Sequence, residues 1–142
     1  MVKPDPVGPK KIIGVLRMKV LFIDDELMLC NLGERILKRA GYEVVIAKSG
    51  QEGIDAFSTA PDEFDIIIID SNMNGLNGIE TLQQLRILKP EIPFILSSGH
   101  QLDEQDLPSD LLDNMGFLSK PYRSHQLVDK VEEVLAINIP QD

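Results

Sequence analysis

Asp65-Ile66-Ile67-Ile68-Ile69-Asp70 is the stretch on which the fold turns. Four isoleucines in succession cannot alternate between core and water. The strand they predict is buried on both faces, as in a parallel sheet covered by helices on either side. The run ends on an acid, Asp70, which therefore stands at the carboxyl end of a buried strand.

Toward the N-terminus, Lys19-Val-Leu-Phe-Ile23 is a short apolar run that ends in Asp24 and Asp25. Leu29, Leu32, Ile36, Leu37 and Ala40 follow at helical spacing, with Gly41 as a stop. Tyr42 to Ala47 reads as a strand. Ser49 with Glu52 three residues on is a capping-box pattern that opens a helix. Toward the C-terminus, Ile79, Leu82 and Leu85 predict a helix over about Asn77 to Leu88, stopped by Pro90. Pro93 to Ser98 and Gly116 to Ser119 read as strands. The acidic stretch between them contains Pro108, so the helix expected there is short or irregular. The last helix, about Ser124 to Ala136, buries Leu127, Val131, Val134 and Leu135 and exposes Asp129, Glu132 and Glu133. Met18, Met28, Met73 and Met115 read as packing residues. Five strand–helix units in alternation predict an α/β protein with a doubly wound, five-stranded parallel sheet and right-handed crossovers.

With 142 residues, 43% hydrophobic, the chain suits one domain with a real core. Residues 1–17, with Pro4, Pro6, Gly8 and Pro9, read as a flexible leader or linker, 18–137 as the domain and 138–142 as a tail. No second domain is expected behind the last helix. The start lacks the apolar core of a secretory signal. No apolar run approaches the ~20 residues that span a bilayer. Cys30 is the single cysteine, so no internal disulfide forms, and a cytoplasmic location is expected. Acids outnumber bases by 23 to 14, for a net charge of −9. That excess argues against direct nucleic-acid binding.

In an open parallel sheet, ligands bind beyond the carboxyl ends of the strands. Asp24 and Asp25, Asp70, Ser97 and Ser98, and Lys120 all stand there. Singly, each has a plainer explanation. An Asp after a strand commonly caps the next helix, and Lys120 before Pro121 suits an exposed strand end. Jointly they point elsewhere. Three carboxylates close together repel unless a cation sits among them, and oxygen-only ligands suit Mg²⁺. A lysine and a hydroxyl at the same end are what a phosphoryl group needs. The coherent chemistry is metal-assisted phosphoryl transfer to a carboxylate. His100 and His125 have no His or Cys partner at ligand spacing and are not expected to bind metal.

Val20 to Glu26, Asp65 to Gly78, Pro93 to Gly99 and Phe117 to Pro121 resemble, in order and spacing, the signature blocks of the response-regulator receiver family of two-component signalling. The resemblance covers about residues 18–137. It implies a flavodoxin-like strand order, 2-1-3-4-5, with helices on both faces. It implies a phosphorelay module that takes a phosphoryl group on Asp70 from a sensor histidine kinase or phosphotransfer protein, or from a small acyl phosphate. Asp25 and Asp70 would then bind Mg²⁺ directly, Asp24 largely through water, and Asn72 through its backbone carbonyl. Lys120 would pair with the phosphoryl group, and Ser98 and Phe117 would form the switch pair. Such a module is not an enzyme on other substrates. It catalyses only its own phosphorylation and dephosphorylation, and its output goes to a downstream protein or a parent-chain domain. One departure stands out: where the family usually has proline, four residues after the acceptor, this chain has Asn74. Two alternatives share parts of this pattern. A flavin or nucleotide binder of the same fold needs a glycine- or hydroxyl-rich loop where Asp24 to Glu26 stand. An aspartyl-phosphate phosphatase usually has a second Asp at the position of Asn72.

Overall fold

The computed structural model describes residues 17–137. Most of the expected leader and the whole of the expected tail lie outside the described residues. The chain runs β1 (Lys19–Ile23), α1 (Leu27–Arg39), β2 (Glu43–Ala47), α2 (Gly50–Thr59), β3 (Ile66–Asp70), α3 (Gly78–Leu88), β4 (Phe94–Ser98), β5 (Met115–Ser119) and α4 (Ser124–Ile137). All strand pairs are parallel, in the order β2-β1-β3-β4-β5. This is the doubly wound architecture the isoleucine run predicts.

All five residues of β3 are buried. Side chains alternate across the strand, so the two sheet faces build two cores. Ile66 and Ile68 join Val20, Phe22, Ile95 and the buried stripes of α1 and α4. Ile67 and Ile69 join Leu21, Ile23, Phe94, Leu96 and the helices α2 and α3. The path from β1 to β2 crosses one face and the path from β2 to β3 crosses the other. The order therefore reverses at β1 and β3, and their carboxyl ends open a crevice.

Local chemistry sets the helix ends. Ser49 accepts a hydrogen bond from the Glu52 N–H, while the Glu52 carboxylate takes the Lys48 N–H, one residue outside the expected box. Asn77 and Glu80 form the full reciprocal box, so Asn77 caps α3 and does not lie in it. Gly41 follows α1 with φ 101°, a left-handed position that suits glycine.

Three expectations change. The region expected to hold an irregular helix contains no α-helix but two single 3₁₀ turns, Glu104–Asp106 and Ser109–Leu111. Pro108 stands between them and cannot donate the N–H that a continuous helix requires. Leu32 is 41% exposed and Met28 is 84% exposed, although both read as packing residues. The buried stripe of α1 is Cys30, Gly33, Ile36 and Leu37. Met28 projects about 200° around the helix from Cys30, on the solvent side.

Candidate functional site

Each strand that borders the crevice ends by delivering a polar side chain to it. β1 hands over to Asp24, which is buried, and to Asp25, which is exposed. β3 ends on buried Asp70, β4 on buried Ser98, and β5 is followed by half-buried Lys120. The chain can fold back over these ends because Gly78 has no side chain. A Cβ there would collide with the Asp70 carbonyl oxygen.

Lys120 organises the charges. Its Nζ lies 2.9 Å from Asp24 Oδ2, 3.1 Å from Asp70 Oδ1 and 3.7 Å from Glu26 Oε1. The other Asp24 oxygen accepts the Glu26 N–H at 2.9 Å. Burial pushes the Asp70 carboxyl above the usual carboxylate range, and Asp24 pushes the same way. The Lys120 ammonium and the Asn72 N–H oppose them. For Lys120, burial disfavours the ammonium, but its bonds to Asp24 and Asp70 outweigh that and move its pKa up. The Cys30 thiol donates to the Asp24 carbonyl at 3.1 Å. Its pKa is raised to about 11, chiefly by burial, so it is an inert packing residue.

One ligand oxygen each from Asp24, Asp25 and Asp70 lies within 4.8 Å of the other two. Like charges about 4 Å apart repel by about 4 kcal/mol even at an effective dielectric of ~20. Three carboxylates against one ammonium leave an excess of two negative charges, which a divalent cation matches. Two oxygens on one Mg²⁺ at ~2.1 Å lie no more than ~4.2 Å apart, so the cluster needs only a small inward shift or a bridging water. The donor set fits a hard divalent ion.

The Ser98 hydroxyl oxygen accepts the His100 N–H at 2.9 Å, which leaves its own hydrogen free to donate. The Lys120 N–H donates to the Ser98 carbonyl at 2.7 Å, joining the ends of β4 and β5. The peptide between Lys120 and Pro121 is cis. Phe117 is half-buried and packs against the core that contains the buried residues of α2 and α3. The His125 side chain lines a groove between α1 and α4, and neither histidine joins the acidic cluster. Sequence reasoning did not single out two contacts. One is Glu26 beside Lys120. The other is the Asn74 N–H, which reaches Asp25 Oδ2 at 3.2 Å. The sequence marks Asn74 as a departure from the family's proline, but nothing in it pairs the Asn74 N–H with Asp25.

The family profile of the response regulator receiver domain matches residues 20–132. The chain belongs to this family. Its match to the sensor kinase CckA of Brucella abortus is 36% identical over 118 residues, covering 82% of this chain and 12% of that protein. Among solved structures, the receiver is similar to the Vibrio cholerae chemotaxis protein CheY4, with 28% identity and a TM-score of 0.75. The likeness covers 82% of this chain and 98% of that one. It is also similar to the Thermotoga maritima response regulator TrrA in complex with Mg²⁺-BeF, with 27% identity and a TM-score of 0.73, over 82% of this chain and 98% of that one. The receiver spans 12% to 50% of the length of the first curated relatives it matches. Among the described residues no helix is long and apolar enough to cross a membrane.

Proposed function

We propose that this receiver accepts a phosphoryl group on Asp70, in a reaction that depends on Mg²⁺. The observation that carries the reading is Lys120 Nζ lying between Asp24 and Asp70, at 2.9 and 3.1 Å, with Asp25 in the same cluster. The donor is a phosphohistidine on a sensor kinase or phosphotransfer protein. An ionised Asp70 oxygen attacks phosphorus, the O–P bond forms, the P–N bond breaks, and the departing imidazole takes up a proton. Asp25, Asp70 and the Asn72 carbonyl would hold Mg²⁺, with Asp24 acting through water, and the ion would supply positive charge to the phosphoryl oxygens. Lys120 leaves its bond to Asp70 and pairs with the phosphoryl group. The Ser98 hydroxyl keeps the His100 N–H as donor and turns its own hydrogen toward the same group.

The Thermotoga relative is described in complex with Mg²⁺-BeF, which supports a metal and a phosphoryl group as ligands of a receiver of this kind. The family match over residues 20–132 supports a receiver unit over about residues 18–137. On this reading the chain catalyses only its own phosphorylation and dephosphorylation and works in the cytoplasm. Its output passes to a protein partner or to a parent chain. The experiment is direct. Incubation with Mg²⁺ and acetyl phosphate should add the mass of one phosphoryl group to the wild-type chain and none to Asp70→Asn. Equal labelling of the two would contradict the assignment.

A further inference from the structure

The three carboxylates of the site are held unequally. Asp24 accepts two bonds, from Glu26 N–H and from Lys120. Asp70 pairs with Lys120 at 3.1 Å, and the Asn72 N–H favours its ionised form. Both are buried. Asp25 is the exposed member of the cluster, and the Asn74 N–H, 49 residues away in sequence, donates to its Oδ2 at 3.2 Å. This bond ties the loop after β3 to the loop after β1, across the mouth of the crevice. Gly75, with φ 78°, turns the chain immediately afterwards.

The residue at position 74 decides whether that bond exists. The receiver pattern has proline here, and proline has no N–H. This chain has a donor where the pattern has none. Carboxylates that ligate metals are commonly held by such outer hydrogen bonds, whose removal costs about 10- to 100-fold in metal affinity. An exposed carboxylate without a partner samples several rotamers, and the ion must then select one of them.

We propose that the Asn74 backbone N–H is a positioning group for the Mg²⁺ site: it holds the Asp25 carboxylate in place before the ion arrives. The inference rests on the reading of Asp25 as a metal ligand. The bond acts through the backbone, so it survives any side chain at position 74 except proline.

The test is a Mg²⁺ titration of the full chain, followed by amide chemical shifts, on wild type, Asn74→Ala and Asn74→Pro. Asn74→Ala keeps the N–H and should bind Mg²⁺ like wild type. Asn74→Pro loses it and should bind roughly 10-fold more weakly. Equal or tighter binding by Asn74→Pro overturns the proposal, and so does an equal loss in Asn74→Ala. A second measurement does not depend on the proline variant. In the metal-free protein, Asp25→Ala should speed amide exchange at Asn74 by about 10-fold, and unchanged exchange there overturns the proposal. If wild type shows no shifts near Asp25 and Asp70, the metal reading itself fails and this inference falls with it. If wild type binds normally and Asn74→Pro matches it, the inference alone fails.

Discussion

The crossover from β3 to β4 and the crossover from β4 to β5 cover the same sheet face but are built differently. The first contains α3, eleven residues with a complete Asn77–Glu80 capping box and with Leu82 and Leu85 fully buried. The second, residues 99–114, has two 3₁₀ turns of three residues each and rests on Leu107 and Leu111. A long capped helix opens only with the surrounding core. Single turns with few anchors open locally, at lower free energy. The stiff crossover follows β3, the strand that ends on Asp70. The soft one begins directly after Ser98 and leads into the strand that carries Phe117. The capped helix thus follows Asp70, and the lightly anchored turns follow Ser98.

Core truncation should expose this contrast most strongly. Ile68→Ala in β3 should cost about 4 kcal/mol of global stability, and Leu107→Ala about 2, because the 99–114 segment can close around the gap. Denaturant unfolding measures both, and equal losses would erase the distinction. Mg²⁺ comes next. At ~100 times its dissociation constant it should add about 2.7 kcal/mol to the unfolding free energy, and chelation should remove it. Amide exchange within 100–114 should stay unchanged by the metal alone, since the carboxylate cluster takes no member from that segment.

Arg86 links the two regions. Its Nε donates to the Ile92 carbonyl at 2.8 Å, a second guanidinium nitrogen donates to the Asp113 carbonyl at 2.7 Å, and the group stacks 4.9 Å over the Phe94 ring. Arg86→Met keeps the stem and removes both donors. It should cost about 2 kcal/mol and speed exchange near residues 112–114 first. Uniform acceleration across the chain would show that the soft segment is not separately anchored. The smallest effect concerns the tyrosines, which both lie outside the soft segment. Burial raises Tyr42 and Tyr122 to about 12. Their folded pKa values exceed the unfolded value of ~10, so their contribution is complete below pH 10 and is lost as pH rises through 12. Ultraviolet titration should show little tyrosinate at pH 11, and half-ionisation near pH 10 would place the phenols in water.

The stiff region was the legible one. Ile66 to Ile69 declared a strand buried on both faces, and with it the parallel sheet and the crevice at its carboxyl ends. Asp24, Asp25, Asp70, Ser98 and Lys120 were readable because each stands within two residues of the end of an apolar run, and the structure places them all at the carboxyl ends of the strands. The 99–114 segment was legible only as a doubt. Pro108 showed that a helix would be interrupted, while the two turns that replace it depend on local caps such as Asp103, whose carboxylate accepts the Gln105 N–H at 2.8 Å. The exposure of Met28 escaped because its neighbours Leu27 and Leu29 are apolar too, which blurs the stripe on α1. The Asn74 contact escaped because it joins residues distant in sequence through a backbone donor.

Amide exchange, measured with Mg²⁺ alone and with Mg²⁺ plus beryllofluoride as phosphoryl mimic, tests the central claim most directly. The account predicts protection changes at the pocket that extend through residues 100–114 and on into β5 and α4. Changes confined to the loops that carry Asp24, Asp25 and Asp70, with none in residues 100–136, would contradict it.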